Sequence, residues 1–126
     1  MVCLDTNFII YLLRKDSTAL EKLESLSGKS ICTTSISVVE LYRGAWLSNN
    51  REREREKVRK ILENMKVISF DDSSAVVCAE LYCELKSNPI GEYDLLIASM
   101  TISKDESLLT RDGAFRRVTK LSCDSW

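Results

Sequence analysis

Four short runs, Val2-Cys3-Leu4, Ser30 to Thr33, Val67 to Phe70 and Leu108-Leu109, alternate with longer segments of helical periodicity. This alternation constrains the fold more than any other feature of the chain. A strand with one face in water shows period-two alternation, whereas a strand covered on both faces reads as a short continuous run. None of these runs alternates, so each belongs in a sheet with helices on both sides. A helix between successive strands favours parallel pairing through right-handed crossovers. The expected architecture is α/β, in three layers around a short, mostly parallel central sheet. In such a sheet, ligand sites form beyond the carboxyl ends of the strands, near a change in strand order.

The intervening segments carry their own punctuation. Asp5-Thr6-Asn7 ends the first strand and leads into a helix through Phe8–Leu13. Asp16 or Ser17 caps a second helix, with Leu20, Leu23 and Leu26 on its apolar side, and Gly28 closes it. Thr34 or Ser35 opens a third, with Ile36, Val39 and Leu47 expected inward. Arg51 to Lys57 alternates in charge sign, which suits a solvated helix better than a nucleic-acid tether. Val58, Ile61, Leu62 and Met65 dock the end of that helix. Asp71 to Ser73 caps a longer helix bearing Val77, Leu81 and Leu85. Asn88-Pro89-Ile90-Gly91 interrupts the pattern before a helix carrying Leu96, Ile97 and Met100. Val118 and Leu121 are expected in a weak edge strand.

A chain of 126 residues suits one domain, expected over 1–126, with enough core to dispense with disulfides. Its five cysteines form no C-x-x-C motif and read as free thiols. The Phe8–Leu13 apolar run is too short for a membrane span and follows Asp5, unlike a signal peptide, so a cytoplasmic protein is expected. The net charge of −1 excludes a uniformly basic nucleic-acid binder. There is no histidine. Ser-His-Asp and Cys-His hydrolysis, histidine-driven ribonuclease chemistry and most zinc catalysis are thereby excluded.

Carboxylates are the remaining candidates. Asp5 follows the first strand and Asp112 follows Leu108-Leu109, so a parallel sheet brings both to one rim. Asp94 lies in the first turn after Pro89-Ile90-Gly91, and Glu40 stands within an otherwise apolar helical register. Individually they read as a helix cap, a dipole partner, an ion-pair partner for Arg43 and an Asx turn. Gathered in one cleft, four carboxylates repel and call for compensation by a divalent cation. An all-oxygen donor set suits Mg2+, or Mn2+, better than zinc or copper. Such a site acts on phosphodiesters or other phosphoryl compounds, and haloacid-dehalogenase-like and response-regulator domains also place acids at strand ends.

At these residues the sequence resembles the PIN domain family, in particular the VapC-type toxin ribonucleases of type II toxin–antitoxin pairs. Val2-Cys3-Leu4-Asp5-Thr6-Asn7 is similar to the first acidic motif, and Ser37-Val38-Val39-Glu40-Leu41-Tyr42-Arg43-Gly44 to the second. Pro89 to Ala98 around Asp94 is similar to the third, and Thr110-Arg111-Asp112 with Phe115 to the last. The resemblance spans nearly the whole chain. It departs at Ser99, where relatives often carry alanine, in the missing glycine before the last strand, and at Asp112, which varies among relatives.

The resemblance implies a PIN-like ribonuclease domain in which Asp5, Glu40, Asp94 and Asp112 are the catalytic, metal-binding acids. It implies Mg2+- or Mn2+-dependent endonucleolytic hydrolysis of RNA by a metal-activated water, a homodimer, and inhibition by a small cognate antitoxin. Asn7 and Thr110 become polar supports or substrate contacts. Arg43 orients Glu40 or meets the scissile phosphate. Arg111 is the foremost rim cation, with Arg14, Lys15, Arg116, Arg117 and Lys120 as further candidates for backbone contact. The apolar helices at Phe8–Leu13, Ala19–Leu26 and Val58–Met65 are expected to supply a dimer or antitoxin surface. The competing readings are an acidic-site phosphatase or 5′-nuclease, a catalytically silent RNA- or partner-binding domain, and a receiver domain.

Overall fold

The computed structural model describes all residues from Met1 to Trp126. Its strands are β1 (Val2–Leu4), β2 (Ile31–Thr34), β3 (Lys66–Ile68), β4 (Ser107–Leu109) and β5 (Ser122–Asp124), in spatial order β3-β2-β1-β4-β5. All four pairings are parallel, including that of the edge strand β5. The chain builds outward from β1 to β3 and then returns to the other side of β1 with β4. The strand order therefore reverses between β1 and β4, where the carboxyl ends of parallel strands open a crevice.

Six helices cover the sheet: α1 (Thr6–Leu13), α2 (Ser17–Ser25), α3 (Ser35–Trp46), α4 (Arg51–Leu62), α5 (Asp72–Glu84) and α6 (Glu92–Ser103). Alternation along each strand divides the core in two. Leu4 and Leu109 point to one side, where they join Phe8, Ile9, Ala19, Leu41 and Val58 from the first four helices. Cys3 and Leu108 point to the other, with Leu81, Ile97 and Met100 from α5 and α6. Five helices start from a residue whose side chain accepts from the backbone N–H three positions on: Asp5, Asp16, Thr34, Asn50 and Asp71. Gly28 adopts φ +85 after α2, the left-handed conformation that glycine takes without steric cost.

Several local expectations are corrected. In α3, Val39 and Leu47 point outward, at 50% and 78% exposure, while Ser37, Leu41 and Ala45 are buried. The inward stripe follows i, i+4, i+8 from a serine whose hydroxyl is hydrogen-bonded, so polarity hid its true register. In α2, Ala19 and Leu26 are buried and Leu20 is exposed. β3 ends at Ile68, leaving Ser69 and Phe70 outside it. Val118 and Leu121 are core residues but belong to no strand. They follow a 3-10 helix, Gly113–Arg117, and the edge strand is the exposed segment Ser122–Asp124. Burial there reports packing under the sheet, whereas backbone pairing follows the register with β4.

Candidate acidic metal site

Asp5 is the innermost of the four acids, only 3% exposed. It sits one residue past β1 and caps α1. Its Oδ1 accepts from Phe8 N–H at 2.8 Å and its Oδ2 from the Thr110 hydroxyl at 2.5 Å. Thr110 follows β4, so this bond ties together the two strands that flank the reversal in strand order. Thr110 Oγ1 also accepts from Asp112 N–H at 3.0 Å, and Asp112 caps the 3-10 helix through Ala114 N–H at 2.9 Å. One threonine hydroxyl thus fixes the position of both strand-end acids.

Glu40 approaches from α3. Its Oε1 lies 2.8 Å from Thr6 Oγ1, which is 2.9 Å from Ser37 Oγ, which in turn lies 3.2 Å from Thr34 Oγ1. A carboxylate only accepts, so the single Thr6 hydroxyl proton goes to Glu40 and the serine and threonine hydroxyls back it in a relay. Asp94 enters from the first turn of α6, where no hydrogen-bond donor of the chain holds its carboxylate. Four acids thus arrive from the ends of β1 and β4 and from the helices α3 and α6.

Their mutual field is evident in protonation. Burial pushes the Asp94 carboxyl up to about 6, with the Asp112, Glu40 and Asp5 charges adding to the effect. Burial likewise raises Asp5, assisted by Asp112 and Glu40 and opposed by the bonds from Thr110 and Phe8. No three acidic or thiol side chains form a closed ligand cluster, so the acids share a field without a preformed cage. The donor set nonetheless fits a hard divalent cation: every candidate ligand atom is a carboxylate oxygen, and the half-buried Asp94 has no cationic partner. A bound cation would supply water activation and neutralise charge developing on a phosphate.

The remaining candidates divide. Asn7 is exposed, and the hydroxyl of its neighbour Thr6 bonds Glu40. Arg43 forms no ion pair with Glu40, and its guanidinium lies 5.4 Å from the centre of the Tyr93 ring, beside Asp94. Arg111 is exposed but tied to the C-terminal residue: it stacks 3.5 Å from the centre of the Trp126 ring and donates from Nε to the Trp126 carbonyl at 2.5 Å. Trp126 itself packs edge-on against Phe8 and Tyr11. Arg117 donates to the Pro89 carbonyl and Lys120 pairs with Glu80 and Glu84, so both are structural ties. Arg116 remains exposed near Asp112.

Residues 2–121 match the model of the PIN domain. The chain belongs to the PIN domain family. Ribonuclease VapC2 of Rickettsia felis is 31% identical to it, over 98% of this chain and 96% of that protein. The tRNA(fMet)-specific endonuclease VapC of Salmonella typhimurium is 27% identical over the same shares. The crystal structure of VapBC2 from Rickettsia felis, bound to a promoter DNA fragment, contains a chain that superposes with a TM-score of 0.93. That match has 30% identity and covers 100% of this chain and 99% of that one.

Thr6 and Ser37 are the residues of this PIN domain whose supporting roles the sequence does not show, while Thr34 is legible only as the cap of α3. Thr6 is legible in retrospect as the neighbour of a strand-end acid. Ser37 lies three residues after the Thr34 cap and three before Glu40, which is one helical face.

Proposed function

We propose that this PIN domain is an endoribonuclease toxin of the VapC type. It hydrolyses internal RNA phosphodiester bonds by a metal-activated water, with Asp5, Glu40, Asp94 and Asp112 as ligands for Mg2+ or Mn2+. The observation that supports the reading is that Asp94, half-buried and without a cationic partner, feels the charges of Asp112, Glu40 and Asp5, which raise its carboxyl together with burial to about 6. Both named relatives are ribonucleases by name, over nearly their full length. The chain's own residues have distinct tasks in this reading. Thr110 holds Asp5 and Asp112 at a fixed separation, and the Thr6 relay aims Glu40.

The partner in this reading is a small cognate antitoxin, supported by the VapBC complexes among the structural neighbours. The chain is further read as a homodimer. Its spare apolar surface lies on α3, at Val39, Trp46 and Leu47, while Phe8, Ile9, Leu12 and Val58 of the helices expected to supply it are spent in the core.

The test compares the purified protein with Asp94→Ala on mixed cellular RNA, in Mg2+, Mn2+ or EDTA, followed by end mapping. Internal cuts bearing 5′-phosphate and 3′-hydroxyl ends, dependent on metal and absent from Asp94→Ala, are expected. Equal cutting by both proteins, or 2′,3′-cyclic phosphate ends, would sink the mechanism. Sedimentation velocity tests the dimer, and a monomer at all accessible concentrations removes it.

A further inference from the structure

A cavity of about 300 Å³ opens beyond the carboxyl ends of β4 and β5, on the side of the acids away from Glu40. Thr110, Arg111, Asp112, Arg116 and Cys123 line it, so Asp112 is a wall common to this cavity and the acid site. The carboxylates around it already have partners. Asp124 pairs with Lys22 at 3.0 Å and accepts from Ser125 N–H at 2.9 Å, while Asp112 caps the 3-10 helix. The cations do not. Of those that follow Asp112 in the chain, Arg117 donates to the Pro89 carbonyl and Lys120 pairs with Glu80 and Glu84. Arg116 is exposed and has no carboxylate within ion-pair distance. Arg111 bonds to the chain from Nε alone, and its guanidinium lies on the Trp126 ring with Tyr11 at 5.8 Å. Ring and bond fix its plane, and both Nη atoms remain free to donate. A guanidinium held in this way has given up its rotamer freedom before any ligand arrives, and its fork matches a phosphate. Burial raises the Cys123 thiol, Arg116 opposes that rise and Asp5 adds to it, so the cavity lies within the field of both the arginine and the innermost acid.

We infer that this cavity is a subsite for one internucleotide phosphate of the RNA, the neighbour of the phosphate being cut, held by Arg116 and the free edge of Arg111. The inference rests on the ribonuclease reading and adds a fixed point on the strand beside the reacting bond. Four acids at the reacting centre repel a polyanion. A cation bound among them neutralises the scissile phosphate, and the next phosphate along the strand requires a partner of its own. Pinning that neighbour stops the strand from sliding past the acids, which holds the scissile bond in a reactive position. Phosphate contacts fix register without reading bases, so the subsite accepts any sequence.

The experiment alters side chain and substrate together. In an RNA oligonucleotide whose cleaved bond has been mapped, a single uncharged methylphosphonate replaces the phosphate on one side of that bond or on the other. For the unaltered protein in Mg2+, one of the two replacements is expected to raise KM about tenfold and leave kcat within about twofold, the signature of lost uniform binding. In Arg116→Ala the same replacement is expected to cost less than about twofold more, because both changes remove one contact. Lys86→Ala, which removes an exposed cation beyond α5, should show the full penalty. Arg111→Lys keeps the charge, loses the planar fork and should raise KM about fivefold. On an Asp94→Asn background in EDTA, Arg116→Ala should flatten the log–log salt slope of RNA binding by about 0.7, the value for one phosphate contact on a single strand. Losses that multiply in full at both positions, a parental KM for Arg111→Lys, or an unchanged salt slope would overturn the subsite. If the unaltered protein makes no metal-dependent cuts, the ribonuclease reading fails, while the salt slope of Arg116→Ala still decides the cavity.

Discussion

Replacing Asp94 by asparagine should stabilise the metal-free protein while abolishing RNA cleavage. In the fold, burial and three neighbouring carboxylates push the Asp94 carboxyl from 3.8 to about 6. Ionising it therefore costs the native state about two pKa units, nominally about 3 kcal/mol. Asp94 is only half-buried, so solvent screening reduces this to about 1 kcal/mol. Asparagine preserves the volume, and no hydrogen bond is lost because the carboxylate accepts none from the chain. The native state binds this proton more tightly than the unfolded state, so this group's contribution falls as pH rises from about 3.8 to about 6. Thermal unfolding in EDTA should show Asp94→Asn melting about 3–5 °C higher at pH 7.5. The difference should shrink towards zero at pH 4, where the native aspartic acid is already neutral. An Asp94→Asn protein no more stable than its parent at pH 7.5, or one keeping its full advantage at pH 4, would refute the claim that the acids repel across a shared crevice.

Thr110→Val removes the donor to the buried Asp5 Oδ2 and should cost about 1.5–3 kcal/mol in urea unfolding, the range for a hydrogen bond to a charged group. A loss below about 0.5 kcal/mol would show that Asp5 is held by other means. Thr6→Val frees Glu40 from its relay and should lower kcat about tenfold with little change in KM, since positioning rather than binding is lost. A rise in KM alone would place Thr6 in substrate binding. Trp126→Ala removes the edge-on contacts to Phe8 and Tyr11 and the seat of Arg111, and should cost about 2 kcal/mol by chemical denaturation. Added Mg2+ should raise the melting temperature of the unaltered protein more than that of Asp94→Asn. Equal shifts would remove Asp94 from the ligand set.

The alternation of short runs with helical segments determined the α/β class, because a strand buried on both faces has no solvent face to write into its pattern. The strand-end positions of Asp5 and Asp112, and the break before Asp94, were legible for the same reason: punctuation is local, and acids beside it stand out. The capping residues Asp16, Thr34 and Asp71 were legible because each satisfies N–H groups within its own turn. What stayed hidden depends on partners distant along the chain. Thr6 reaches Glu40 only once the strand order is set, so it does not differ locally from an ordinary polar residue, and Thr110, which reaches Asp5, stood out only through the family resemblance. The inward face of α3 differs from the expected one because its buried Ser37 is satisfied by the Thr6 hydroxyl of α1 and by the Thr34 cap of its own helix, a circumstance hydrophobic periodicity does not record. Arg43, Arg111 and Arg116 show the same division: sequence supplies the cation, and packing against Tyr93, Trp126 or an open cavity decides what it faces.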